Sequence, residues 1–220
     1  MAENRPAVTR RTASKVAARR ASGRARSARE RLLEAAEELF YDEGVNTVGI
    51  ERVIARAGVA KASLYDCFGS KEELIRSYLA ARHEARKVRV QERLARHTDP
   101  RARLLAVFES MAEALAEPRY RGCAFVRASA EAQAGSAIQK VVAESRAWLH
   151  ALFAGLAREA GAPDAEALGR KLVLLYDGAA VSAQLDHDPE VALAARDVAA
   201  QMLDAAIAKG SAKPRTARKR

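Results

Sequence analysis

Apolar positions recur through most of this chain at intervals of three and four, the spacing of a single helical face. Leu32, Leu33, Ala36, Leu39 and Phe40 make the first stripe. It opens on Ser27-Ala28-Arg29-Glu30, a capping box in which serine hydroxyl and glutamate carboxylate each satisfy a free amide, and Gly44 closes it. Thr47 stands where it can cap a short second helix with Ile50, Val53 and Ile54 on one face, ended by Gly58. A third helix, from about Ala60 to Cys67, is fenced between Gly58 and Gly69. Ser70-Lys71-Glu72-Glu73 is another capping box. It launches a long helix toward Arg96, which at 1.5 Å per residue spans about 39 Å, enough to join two domains.

Beyond it, Asp99-Pro100 starts a helix through Leu104, Leu105, Phe108, Met111 and Leu115 that stops near Pro118. A further helix begins at Cys123 and is closed by Gly135. Ser136 opens the next, which runs through Ile138, Val141, Trp148, Leu149 and Phe153 to Gly161. Two more are expected, from about Asp164 to Leu185 and from Asp188-Pro189 to Ile207. The sum is about nine helices without a strand or an internal repeat: an all-α fold. The expected domains are a basic disordered arm (1–26), a three-helix unit (27–72), a larger helical body (73–208) and a basic disordered tail (209–220).

The third helix is odd. At about 100° per residue, Leu64 and Phe68 face inward, opposite Ala62, Ser63 and Asp66, with Lys61 and Tyr65 along one edge. Two apolar anchors fix it against the helices before it, and its outer face is small and polar. A helix, a glycine turn and a second short helix form the arrangement of a helix-turn-helix, whose second helix enters the DNA major groove.

Charge supports this reading. The net charge of +10 is carried by the ends: residues 1–29 hold a net +8 and residues 209–220 six basic residues and no acid. Basic ends on a mildly acidic body suggest a polyanionic partner. The hydrophobic share of 49% is enough for a real core, so the chain is not disordered overall. No apolar run reaches the roughly 18 residues of a membrane span, and the charged N-terminus has no signal-peptide core. Cys67 and Cys123 fit no metal or redox spacing, which suits a reducing cytoplasm.

Gly44, Thr47, the run VIARAGVAKASLY (Val53 to Tyr65), Phe68 and SKEEL (Ser70 to Leu74) together resemble the TetR family of bacterial transcriptional regulators. The resemblance covers about residues 27–80, and the rest agrees in helix count and order. It implies an N-terminal helix-turn-helix domain joined by the long helix to a C-terminal regulatory and dimerisation domain. It also implies a homodimer, a palindromic operator in double-stranded DNA and a small-molecule effector. Carried over position by position, Thr47 and Val48 offer free amides to a phosphate, and Lys61, Tyr65 and Lys71 hold backbone oxygens. Ala62 and Ser63 read base edges; for Asp66, which the resemblance does not cover, the two readings are acceptance from a cytosine amino group and a solvated or locally bonded acid. The basic arm adds phosphate or minor-groove contacts. Asp66 and Cys67 depart from the usual pattern. The family often has a ring donor at position 67, and that contact is not carried over.

In the body, the segments Leu172 to Leu185 and Val191 to Ile207 are apolar on most sides and must be buried on several. They are expected to form a four-helix bundle with their copies, with Leu175, Gly178, Ala179, Ser182, Val198 and Met202 at the interface. Phe108, Met111, Tyr120, Phe125, Trp148 and Tyr176 are the large residues that could line a hydrophobic pocket. Arg127 and Asp177 are its candidate polar contacts.

No catalytic constellation, cofactor motif or metal spacing is present; Asp186-His187-Asp188 stands before Pro189, where Asp188 serves as a helix cap. The expected function is therefore an effector-responsive repressor that a small hydrophobic ligand releases from its operator. The rival readings are a DNA-architectural protein that senses nothing and a carrier or enzyme that kept the fold.

Overall fold

The computed structural model describes residues 26–211. Nearly all of the expected basic arm, and the tail beyond residue 211, lie outside the described residues. Among the latter there are nine helices and no strand: α1 (Ala28–Glu43), α2 (Ile50–Ala57), α3 (Lys61–Phe68), α4 (Lys71–Leu94), α5 (Pro100–Leu115), α6 (Ala124–Glu131), α7 (Ala137–Glu159), α8 (Ala165–Asp186) and α9 (Val191–Ser211).

The helix starts obey local chemistry. Ser27 Oγ accepts from the Glu30 amide at 3.2 Å while Glu30 accepts from the Ser27 amide at 2.7 Å, so the first capping box is complete. At α4 the serine half is formed, with Ser70 Oγ accepting from the Glu73 amide at 3.1 Å. Asp99 accepts from Ala102 at 2.8 Å with Pro100 in the first helical position. One start differs from expectation. Residues 45–47 form a turn and α2 begins at Ile50 after Gly49, which gives no side-chain cap, so Thr47 does not cap this helix.

Two apolar clusters organise the helices. The body cluster packs α5, α7, α8 and α9 around Phe108, Phe153 and Tyr176, whose ring centroids lie 5.5 to 6.0 Å apart. The head cluster joins Leu32, Ala36 and Phe40 of α1 with Val53 and Ile54 of α2, Leu64 and Phe68 of α3 and Leu74 and Tyr78 of α4. It extends far beyond residue 72 in sequence, taking in Phe125 and Ala128 of α6 and Ile138 and Val141 of α7. The connecting helix α4 has 24 residues, about 36 Å, and contributes to both clusters.

Within the body, α7 and α8 pack tightly at Gly169, where an added Cβ would lie 2.9 Å from the backbone nitrogen of Ala154. Backbone cannot move aside as a side-chain tip can. Gly155 on α7 has open space in that direction. Gly169→Ala is therefore expected to destabilise by about 1–3 kcal/mol through overpacking, despite alanine's better helix propensity. Gly155→Ala should instead stabilise by roughly 0.5–1 kcal/mol. Thermal unfolding of the two variants against the parent checks both signs.

Candidate nucleic-acid interface and effector cavity

The turn between α2 and α3 is built on Gly58, whose φ of 62° and ψ of 43° lie in the left-handed region that a side chain disfavours. Its amide donates to Ala55 O at 3.2 Å, and the next amide, of Val59, donates to Ile54 O at 3.4 Å, which closes α2 and turns the chain. α3 then hangs on two buried side chains, Leu64 and Phe68, with Arg29 stacked over the Phe68 ring at 5.0 Å. Lys61, Ala62, Tyr65 and Asp66 are exposed on its outer side, and Ser63 is half-buried at their edge. Cys67 is half-buried and packs against the head cluster. Thr47 is exposed in the preceding turn, but the Val48 side chain is fully buried in the head. Position 48 therefore serves the core, and only its backbone is left for a phosphate.

The cations of this face are largely matched within the head. Lys61 Nζ donates to Glu51 at 2.7 Å, and that bond raises its pKa. Arg52 pairs with Glu43 at 2.6 Å and Arg56 with Glu38 at 2.6 Å. Lys71 is half-buried, and burial pushes its pKa down, with Glu131 opposing. An exposed pair such as Lys61–Glu51 is screened by solvent and weak, so the ammonium is readily exchanged onto another anion.

Between head and body lies a cavity of about 260 Å³. Of the residues expected around an effector, Met111, Tyr120, Phe125 and Tyr176 line it. Phe108 lies one ring behind in the body core, 6.0 Å from Tyr176. Trp148 packs against His83, Arg127 donates to Tyr41 O at 2.6 Å, and Asp177 pairs with Arg146; none of these lines the cavity. The remaining wall includes Tyr41 and three arginines of α4, Arg82, Arg86 and Arg89, which sequence reasoning missed. Their spacing of four and three, on one face of the connecting helix, was the available signal. Burial raises the pKa of Tyr120 and Tyr176, so both phenols stay protonated, and it lowers that of His83 beside Arg86, favouring neutral imidazole.

One side of the cavity is also fastened to the head. The Tyr41 hydroxyl, at the end of α1, accepts from the Arg121 amide at 2.9 Å and donates to Gly122 O at 3.3 Å. Asp42 pairs with Arg119 at 2.8 Å, and Glu131 of α6 accepts from the Asn46 amide at 3.0 Å, in the turn before α2. Phe125 belongs to the cavity wall and to the head cluster at once.

On the far side of the body, α8 exposes Leu174, Gly178, Val181 and Leu185, one stripe at helical spacing, with Leu174 and Leu185 75% and 72% exposed. Val198 of α9 is also exposed, and Ser182 is half-buried. Ala179 is buried in its own chain's core, and Leu175 and Met202 pack against that core. The outward stripe of α8 is thus offset from the expected one. Leu175 and Ala179 point inward, and Leu174, Val181 and Leu185 point out.

The family described as "Bacterial regulatory proteins, tetR family" matches residues 32–78, which hold most of α1, the helix pair and the start of α4. The HTH-type transcriptional activator FasR of Mycolicibacterium smegmatis is 39% identical over 82 residues, 37% of each chain. That match spans little more than a third of FasR's length. Solved structures agree over far more. A TetR-family transcriptional regulator from Streptomyces coelicolor superposes with a TM-score of 0.77 at 31% identity, over 82% of this chain and 96% of that one. A putative TetR-type regulator from Streptomyces avermitilis gives 0.73 at 35% identity, over 82% and 98%. With its helix-turn-helix head and a fold shared over nearly the whole length of these regulators, this chain belongs to the TetR family of bacterial transcriptional regulators.

Proposed function

We propose that the chain works as a homodimeric repressor that binds a palindromic operator in double-stranded DNA and is released when a small ligand with a hydrophobic body fills the cavity. The observation that carries this reading is the shared wall: Phe125 and Tyr41 line the cavity and are built into the head. A ligand that displaces Phe125 or the segment around Gly122 pulls on the end of α1 and, through Glu131 and Asn46, on the turn that leads into α2. Two heads must meet two half-sites together, so a small change in their separation lowers operator affinity.

At the DNA, Lys61, Tyr65 and Lys71 hold phosphates, with the Thr47 and Val48 backbone beside them. Ala62, Ser63 and Asp66 face the base edges. Lys61 must leave Glu51 to do so, which makes Glu51 a competitor for the same cation. The dimer forms through the α8 stripe and Val198, with Gly178 permitting close approach. Repression is the direction we assign. FasR is named an activator, and a reporter gene placed behind the footprinted site reads the sign.

Footprinting of the full chain on genomic DNA should protect one palindrome and lose it with an effector. Diffuse, salt-sensitive coverage would instead support an architectural role. Lys61→Ala should weaken operator binding and reduce the salt slope by about one, whereas Glu51→Gln should tighten binding. Titrations at several salt concentrations decide. Leu174→Asp combined with Leu185→Asp should give helical monomers with little operator affinity. A dimer surviving in sedimentation would place the interface elsewhere.

A further inference from the structure

Four of the five arginines of α4, Arg82, Arg86, Arg89 and Arg93, follow one another at steps of four, three and four, and their surroundings differ sharply. Arg93 is met by two carboxylates of α5, Glu109 at 2.9 Å and Glu113 at 2.8 Å. Arg89 has one distant partner, Glu117 at 3.8 Å. Arg82 and Arg86 pair with no carboxylate among the described residues. Arg82 lies over the Tyr41 ring at 3.7 Å, and Arg86 stands over Phe125 and Trp148 while donating to the Ser145 hydroxyl. Three nitrogens of this group, Arg82 Nη1, Arg86 Nε and Arg89 Nε, are buried without a hydrogen-bond partner. All three side chains line the cavity.

A guanidinium keeps its charge at any ordinary pH, and each of these half-buried side chains holds one N–H out of water without an acceptor, which is costly. Glu37 and Glu117 also line the cavity, but both are exposed and do not reach the buried nitrogens. Three cations against two carboxylates leave one positive charge in the wall. Beside the arginines the lining is apolar and aromatic, with Met111, Leu115, Phe125 and Tyr176.

We infer that this cavity takes a small ionised carboxylic acid, its carboxylate held among Arg82, Arg86 and Arg89 and its apolar body against Met111, Leu115, Phe125 and Tyr176. The inference rests on reading the cavity as the effector site and adds the ligand's charge and polarity. The planar guanidinium fork matches a carboxylate edge to edge, and one negative charge equals the excess of the wall. At about 260 Å³ the cavity lies just below the usual size of ligand sites, which restricts it to a short-chain or single-ring acid.

The test is calorimetry and thermal shift on the full chain with octanoate, 3-phenylpropionate and 4-phenylbutyrate, each beside its primary amide and its amine, with phenyl phosphate as a further anion. The acids should stabilise the protein, the amides should bind about tenfold more weakly or worse, and the amines should not bind. Arg82→Met and Arg86→Met should each remove about tenfold of the acid affinity and shrink the acid–amide difference. Their own unfolding transitions show whether they are folded. Arg86→Lys, which keeps the charge, should retain part of the preference. Amides or amines binding as well as the acids, no binding by any member, or an acid preference that survives both methionine variants would overturn the inference. Tighter binding of phenyl phosphate would assign the site to phosphate esters and overturn it as well. The two readings fail separately. A neutral compound that fills the cavity and releases DNA leaves the repressor reading standing and removes the acid. An arginine-dependent acid that leaves operator affinity unchanged does the reverse.

Discussion

The two halves of this protein are tied together most densely at Tyr41. Its ring lies under the Arg82 guanidinium, its hydroxyl bridges the Arg121 amide and Gly122 O, and its carbonyl accepts from Arg127. The three hydrogen-bond partners lie 80 to 86 residues further along the chain. A hydrogen bond of this kind contributes about 1 kcal/mol, and more with a charged donor. The set is therefore strong enough to fix the end of α1 to the body, yet open to rearrangement if one member is displaced. The Asn46–Glu131 and Ala137–Glu72 bonds add two further ties, both exposed.

Charge is distributed to the same end. On the head's outer side Arg52, Arg56 and Lys61 each have a carboxylate within hydrogen-bonding distance, and each of these exposed pairs is weak. Along α4 the balance fails where the helix passes the cavity and is restored at Arg93. A surface pair can exchange its partner for a phosphate at little cost. A half-buried arginine with a nitrogen shut off from water and unpaired favours a partner of matching shape.

Much of this was legible in the chain. Helix boundaries followed from serine and aspartate caps and closing glycines, and the division of α3 into an inner side with Leu64 and Phe68 and an outer side followed from its period. The start of α2 was misplaced because Thr47 is a good cap by composition, whereas the chain spends residues 45–47 on a turn and buries Val48. On α8 the pattern was apolar nearly all round. It established burial on several sides but carried no phase, and Leu174 could not be told from Leu175. The cavity arginines were hidden for another reason. On a long polar helix three cations look like solvent-facing charge, and only the return of the chain at residues 120–125 encloses them. Phe108, Trp148, Arg127 and Asp177 each had the right chemistry for a ligand, but tertiary packing assigned them elsewhere.

The head also borrows part of its interior. Phe125, Ala128, Ile138 and Val141 fill it from beyond the connecting helix. A segment ending with α4 would leave that apolar surface bare. The unit that evolution could exchange between relatives is therefore discontinuous, made of the N-terminal helices together with α6 and the first turns of α7. Grafting a foreign head onto this body keeps a sealed interior only if those inserts travel with it, which ties the drift of DNA preference to the drift of the cavity wall.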